Sequence, residues 1–257
     1  MKRILFAAAF ALAACGPTTQ PEPPAPPALT AESPNVAAAV ADARRPAEDT
    51  ARDANRHPAE TLAFANAQPG ARVGEIFPGG GYFTRLFAVA IGDEGRVYPL
   101  IRPDGVAGEF ETPIIAVAAL YPNATMARAP YDALVFPEPL DVVFTAQNYH
   151  DMAITEYGLG DRNAMNASAF AALKPGGLYV VIDHSAVAGA PVETGGENVT
   201  HRIDQATVRA EVEAAGFVFD GESEVLRNAE DTRTISVFDP AIRGRTDQFM
   251  MRFRKPK

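Results

Sequence analysis

The chain has 257 residues, 47% hydrophobic and 21% charged, which is enough for one large globular domain with a sizeable core. A formal net charge of -9 argues against nucleic-acid binding through phosphate neutralisation. With one cysteine and four histidines, few ligands remain for a metal cluster, and no metal site is expected.

The N-terminal stretch MKRILFAAAFALAAC places Lys2 and Arg3 before an apolar run, residues 4–14, that is too short to remain as a membrane-spanning helix. Its end, LAAC, resembles the lipobox of bacterial lipoproteins. The resemblance implies cleavage after a signal peptide of residues 1–14 and acylation of Cys15; the plainer alternative is an ordinary signal peptide with Cys15 incidental. Several acyl chains on one residue anchor a protein stably. Gly16, where an Asp resembles an inner-membrane retention signal, favours the outer membrane with the domain facing the periplasm. Residues 15–34 are rich in proline and read as an extended tether. The domain proper is expected over residues 35–257, beginning with alanine-rich helices at 36–42 and 47–54. A further helix is expected around 57–68, with Pro58 in its first turn and Pro69-Gly70 after it.

From there strands and helices alternate. ARVGEIF (71–77) reads as a strand, YFTRLFAVAIG (82–92) as a helix, and GRVYPLI (95–101) as a second strand. A partly helical return over 108–122 leads to a weak strand at 124–129. LDVVFTA (140–146) has the continuous apolar run of a strand buried on both faces. A helix over 163–174 precedes the strand LYVVIDHS (178–185). A last helix over 205–215, capped by Asp204 and stopped by Gly216, precedes two final strands at 217–226 and 247–255. This alternation predicts an α/β fold, a mostly parallel sheet covered by helices on both faces.

The turn after the first strand, EIFPGGGYFTRL (75–86), holds Gly79, Gly80 and Gly81 where an open α/β sheet places its ligand. Thr84 occupies the third glycine position of the dinucleotide fingerprint, and no Gly-Lys-Ser/Thr follows, which excludes a P-loop. What remains is an acid, Glu75, followed by Gly79 and Gly81. That pattern resembles the first motif of class I S-adenosylmethionine-dependent methyltransferases. So do residues 69–98 as a whole, LDVVFTAQNYHDM (140–152), ALKPGGLYVVIDHS (172–185) and VRAEVEAAGF (208–217). The resemblance covers the chain from about Ala59 onward and implies a Rossmann-like class I fold with a seven-stranded sheet and S-adenosylmethionine as methyl donor. It implies a cofactor site of Glu75, Phe77, Gly79, Gly80, Gly81 and Tyr82, joined by Gln147 and Asn148 after the fourth strand. Two departures stand out. Phe77 replaces the first small residue of the turn, and Leu100, Ile101 and Arg102 stand where the family has an acid for the ribose, with Asp104 the nearest acid beyond them.

Among the chemistry-bearing residues, His150 can act as a general base with Asp151 orienting it, although adjacent side chains do not normally converge. Asp183 and His184 repeat the pair after the fifth strand, and His150 is preferred of the two histidines as the one facing the pocket. His201 reads as structural. Arg44, Arg45, Arg52, Asp53 and Arg56, before the first strand, form either a cover over the cofactor or a solvated helix. The function expected is methyl transfer to a small molecule or envelope component; the alternative is a non-catalytic envelope binding module on the same fold. Partners are a small-molecule substrate and, through Cys15, a membrane. If LAAC is a lipobox, the wild-type protein partitions into detergent with acyl mass on residue 15, and Cys15→Ser carries no acyl mass and is left uncleaved or shed; unmodified, water-soluble wild type overturns the assignment.

Overall fold

The computed structural model describes residues 27–103 and 108–257. The expected signal peptide, Cys15, most of the tether and Asp104 lie outside the described residues. Among those described, no helix is long and apolar enough to cross a membrane.

Short helices α1 (Pro34–Val40), α2 (Ala47–Thr50), α3 (Asp53–Arg56) and α4 (Pro58–Ala65) precede the sheet. Pro58 opens α4 as the sequence predicts, and Asn66, in the left-handed conformation, closes it short of the expected stop at Pro69-Gly70. There follow β1 (Arg72–Ile76), α5 (Tyr82–Ala90), β2 (Arg96–Ile101), α6 (Gly108–Leu120), β3 (Ala127–Arg128) and β4 (Leu140–Ala146). Two short 3-10 turns, His150–Ala153 and Thr155–Tyr157, lead to α7 (Arg162–Ala172), β5 (Leu173–His184), α8 (Gln205–Ala214), β6 (Val218–Ser223) and β7 (Gln248–Arg254). Asp204 caps α8, accepting from the Ala206 amide.

The seven strands form one sheet in the order β3-β2-β1-β4-β5-β7-β6. All pairings are parallel except those of β7, which runs antiparallel between β5 and β6. The order reverses between β1 and β4, and loops diverging there leave a crevice at the strands' carboxyl ends. Period-two alternation divides the core. Val142, Phe144, Val180 and Ile182 pack with α1, α4 and α5 on one face, while Val143, Tyr179 and Val181 pack with α7 and α8 on the other.

The N-terminal helices are fastened to the start of α5. The buried Arg45 forks onto Asp53 at 2.9 and 2.5 Å, and Asp53 also accepts from the Tyr82 hydroxyl at 2.6 Å. Arg85 donates to Asp49 at 2.9 Å. The end of the expected tether is also docked, with the Leu29 amide on Asn66 Oδ1 and the Pro27 carbonyl accepting from Gln68.

Gly81 ends the turn before α5 with φ +83°, and a β-carbon there would lie 2.7 Å from Val117 Cγ2 of α6. Its constraint is therefore packing against α6, and the expectation that this glycine makes room for a ligand is corrected. Gly81→Ala should destabilise the protein by about 1–3 kcal/mol through overpacking and backbone strain, measured by urea denaturation. An unchanged midpoint would contradict this.

Candidate functional site

The crevice at the reversal point is a cleft of about 270 Å³. A second cleft of about 370 Å³ adjoins it, the two sharing Arg52, Arg56, Gln147, His184, Val237 and Phe238. Contributions come from α3, the glycine turn, the loop after β4 and the end of β5. Glu75, Phe77, Gly79, Gly80, Tyr82, Gln147, Asn148, His150 and Asp151 all line it. Of the residues expected in the pocket from sequence, Gly81 alone does not.

Glu75 ends β1 almost fully buried, where a carboxyl needs a donor. Thr84, one turn into α5, donates its hydroxyl to Glu75 Oε2 at 2.5 Å, so the residue that breaks the dinucleotide fingerprint satisfies the buried acid. Burial pushes the Glu75 carboxyl up to about 8, against the pull of Thr84, Arg56 and Arg85. Phe77 takes a left-handed conformation, φ +57°, and its ring lies against Tyr131, centroids 3.7 Å apart and planes tilted by 39°, beside the α7–α8 face of the core. It walls the cleft without filling the turn. A β-carbon on Gly79 or Gly80 would meet nothing within 4 Å, which leaves that stretch of backbone open to a ligand.

Above the turn lie the N-terminal cations. Arg52 and Arg56 sit over the Tyr82 ring at 4.9 and 4.7 Å, so this segment covers the cleft and is not a freely solvated helix. The Arg56 guanidinium donates to Gln147 Oε1 at 2.6 Å, and among the described residues no carboxylate lies within ion-pair distance of it. Burial and the neighbouring Arg52 lower it to about 10, which still leaves a cation at neutral pH. Gln147, itself left-handed at φ +66°, passes its amide on to Gln248 Oε1 at 3.0 Å.

The opposite wall is a histidine–carboxylate cluster. Asp183, fully buried at the end of β5, accepts the backbone amides of His150 and His184 at 2.7 Å each. Its Oδ1 also lies 2.7 Å from His150 Nδ1. The other ring nitrogen, Nε2, is 3.0 Å from Asp151 Oδ1, so these adjacent side chains do converge, because the 3-10 turn bends the backbone between them. Burial opposes charge on His150, but the two carboxylates overcome it and push the ring up to about 10. Both ring nitrogens face carboxylates that favour the charged ring, an arrangement that works against the expected role of His150 as general base. His184 also faces the cleft, so the choice of one histidine over the other is corrected too. Burial lowers it to about 4 and it stays neutral, its Nδ1 2.7 Å from the Thr246 hydroxyl. His201, expected to be structural, brings Nδ1 to 3.2 Å from Asp151 Oδ1. No spacing in the sequence signals that approach, since 50 residues separate the pair. At the ribose edge, Leu100 and Ile101 are buried and Arg102 reaches the Tyr157 carbonyl at 3.4 Å, so among the described residues no acid ends β2.

No family model matches the sequence, and a search of curated proteins gives no match. Solved structures do match in shape. A SAM-dependent methyltransferase from Aquifex aeolicus aligns with a TM-score of 0.57 at 16% identity, over 79% of this chain and 92% of its own. The [4+2]-cyclase SpnF aligns at 0.55 and 18% identity, over 82% of each chain. The glycopeptide N-methyltransferase MtfA, solved with S-adenosyl-L-homocysteine, aligns at 0.51 and 18% identity, over 77% of this chain and 86% of its own. The fold is that of the class I S-adenosylmethionine-dependent methyltransferases, as the sequence resemblance implies.

Glu75 sets a pH dependence. Its folded-state value is raised, so the folded protein holds a proton that the unfolded chain releases near 4.5; the stability this contributes is complete below that value and is lost as pH rises through about 8. Glu75→Gln should therefore melt above the wild type at about pH 9 and with it at about pH 4, in thermal scans across that range. Parallel wild-type and variant curves would show that Glu75 is not the group responsible.

Proposed function

We propose that the protein is an S-adenosylmethionine-dependent methyltransferase of the bacterial cell envelope, anchored through Cys15 and acting on a small molecule or envelope component. The observation that carries the reading is that Glu75 and the Arg56 guanidinium line the same cleft as the open backbone at Gly79–Gly80. An amino-acid zwitterion complements that arrangement. Its carboxylate would meet Arg56 and its ammonium would meet Glu75, drawing the carboxyl back toward its ionised form. Phe77 and Tyr82 supply apolar walls.

When bound, S-adenosylmethionine supplies an electrophilic methyl group on a sulfonium. The residues of this chain contribute position: the cleft holds the acceptor in line with the carbon–sulfur bond and keeps bulk water from it. The cluster of His150, Asp151 and His184 lies on the acceptor's side. His150, with both ring nitrogens on carboxylates, holds Asp151 and Asp183 in position at the cleft and itself contacts the acceptor through no free N–H. The absence of an acid at the end of β2 among the described residues favours a second reading, a binding module for another ligand. The cyclase that shares this fold shows that the scaffold is not confined to one reaction.

Titration calorimetry of the full-length protein with S-adenosylmethionine and S-adenosylhomocysteine tests the proposal. Wild type should bind both, and Gly80→Leu should lose at least about tenfold in affinity with its melting temperature unchanged, since the new side chain enters open cleft space. Folded wild type that binds neither at millimolar concentration would leave the binding module as the reading to pursue.

A further inference from the structure

The cluster opposite the glycine turn is built in a way that hydrogen bonding alone does not require. Three donor atoms, His150 Nε2, Asp151 Oδ1 and a ring nitrogen of His201, lie within 4.8 Å of one another. The two contacts made by Asp151 Oδ1 are 3.0 and 3.2 Å. Two ligands about 2.1 Å from one ion stand roughly 3.0 Å apart at right angles and about 3.4 Å apart at the tetrahedral angle. The observed distances are therefore edges of a coordination polyhedron as well as hydrogen-bond lengths.

The surroundings hold each donor in place. Asp183 faces Nδ1 of His150, which fixes the ring so that Nε2 turns toward Asp151; a carboxylate behind the far nitrogen of a ligating histidine is the usual outer support of a metal site. His201 is wedged between Phe238 at 4.8 Å and Tyr157 at 6.1 Å. Its backbone has φ +59°, and its amide donates to Glu193, as does that of Thr200. The next residue, Arg202, is fully buried on Asp231. With Nδ1–H donating to Asp183, Nε2 of a neutral His150 presents its lone pair toward Asp151 Oδ1, and a cation placed between the two atoms takes both lone pairs.

We propose that His150, Asp151 and His201 bind a divalent transition-metal ion, which displaces the proton between His150 and Asp151. Two imidazoles and one carboxylate suit zinc, iron(II), manganese or cobalt, and such a set with three protein ligands leaves open positions. Those positions face the cleft, because His150 and Asp151 line it. On the methyl-transfer reading, on which this last step rests, the open positions take the acceptor's oxygen, and the acceptor is a hydroxyl or carboxylate compound.

The test is a cobalt(II) titration of chelator-treated, full-length protein in detergent, read by visible absorption and equilibrium dialysis. One ion should bind per chain, with ligand-field bands of nitrogen and oxygen donors and no thiolate charge-transfer band, which rules out Cys15 as the ligand. Asp151→Asn and His201→Ala should each weaken binding at least tenfold with circular dichroism unchanged. Should His201→Ala fail to fold, the isosteric Asp151→Asn carries the comparison. Folded wild type that takes up no cobalt at tens of micromolar, or binding that survives both substitutions, overturns the proposal. Because no S-adenosylmethionine is present, the result stands apart from whether the cofactor binds.

Discussion

A carboxyl group buried at the end of a central strand has to be satisfied where it stands, and in this protein Asp183 is that group. It is fully buried at the carboxyl end of β5 and draws in the His150 amide, the His184 amide and the His150 ring. An unsatisfied buried carboxylate would cost several kcal/mol, so the loop after β4 has little freedom to lie elsewhere. One side chain thus welds the loop of β4 to the tip of β5 across the edge where the sheet opens. Placement of Asp151, and through it of His201, follows from that weld. The sheet supplies the crevice and Asp183 furnishes it.

The other side of the cleft is organised by a second polar chain. Arg45 is buried against Asp53, Asp53 takes the hydroxyl of Tyr82, and Arg85 takes Asp49. Breaking a buried pair of this kind by removing one partner costs about 3–5 kcal/mol, since it leaves a charge behind. The four-residue helices α2 and α3 are too short to be stable alone and persist because this chain docks them on α5. Docking them carries Arg52 and Arg56 over the glycine turn. The N-terminal segment is therefore part of the cleft, and its arginines are held there by the same contacts that hold its fold.

The fold was legible because its signals are local and repeated. The apolar run of β4, the glycines that stop α5 and α8, and the Asp204 cap each act within a few residues, and the structure keeps all of them. The near half of the site was legible for the same reason: a glycine turn after a first strand is a short-range pattern. Long-range polar pairings were not. Nothing in residues 200–204, THRID, shows that His201 returns to Asp151, because that return depends on Glu193 and Arg202 bending the loop between β5 and α8. The direction of Gly81 was also hidden, since its neighbour Val117 belongs to a different helix. The charge of His150 depends on Asp183, which lies 33 residues away. Residue types were visible in the sequence, while protonation states and contacts required the fold.

The fold does not choose among chemistries, and a cyclase of the same shape makes the point. Charge does more to discriminate. The cleft is lined both by the guanidinium groups of Arg52 and Arg56 and by the carboxyl groups of Glu75 and Asp151. A ligand that carries an anion and a cation on the same molecule complements such a lining. On the proposed reading, the amino-acid zwitterion of S-adenosylmethionine is that ligand, its carboxylate meeting Arg56 and its ammonium meeting Glu75. A neutral ligand of similar size would gain nothing from either set of charges, and desolvating the arginines would count against it.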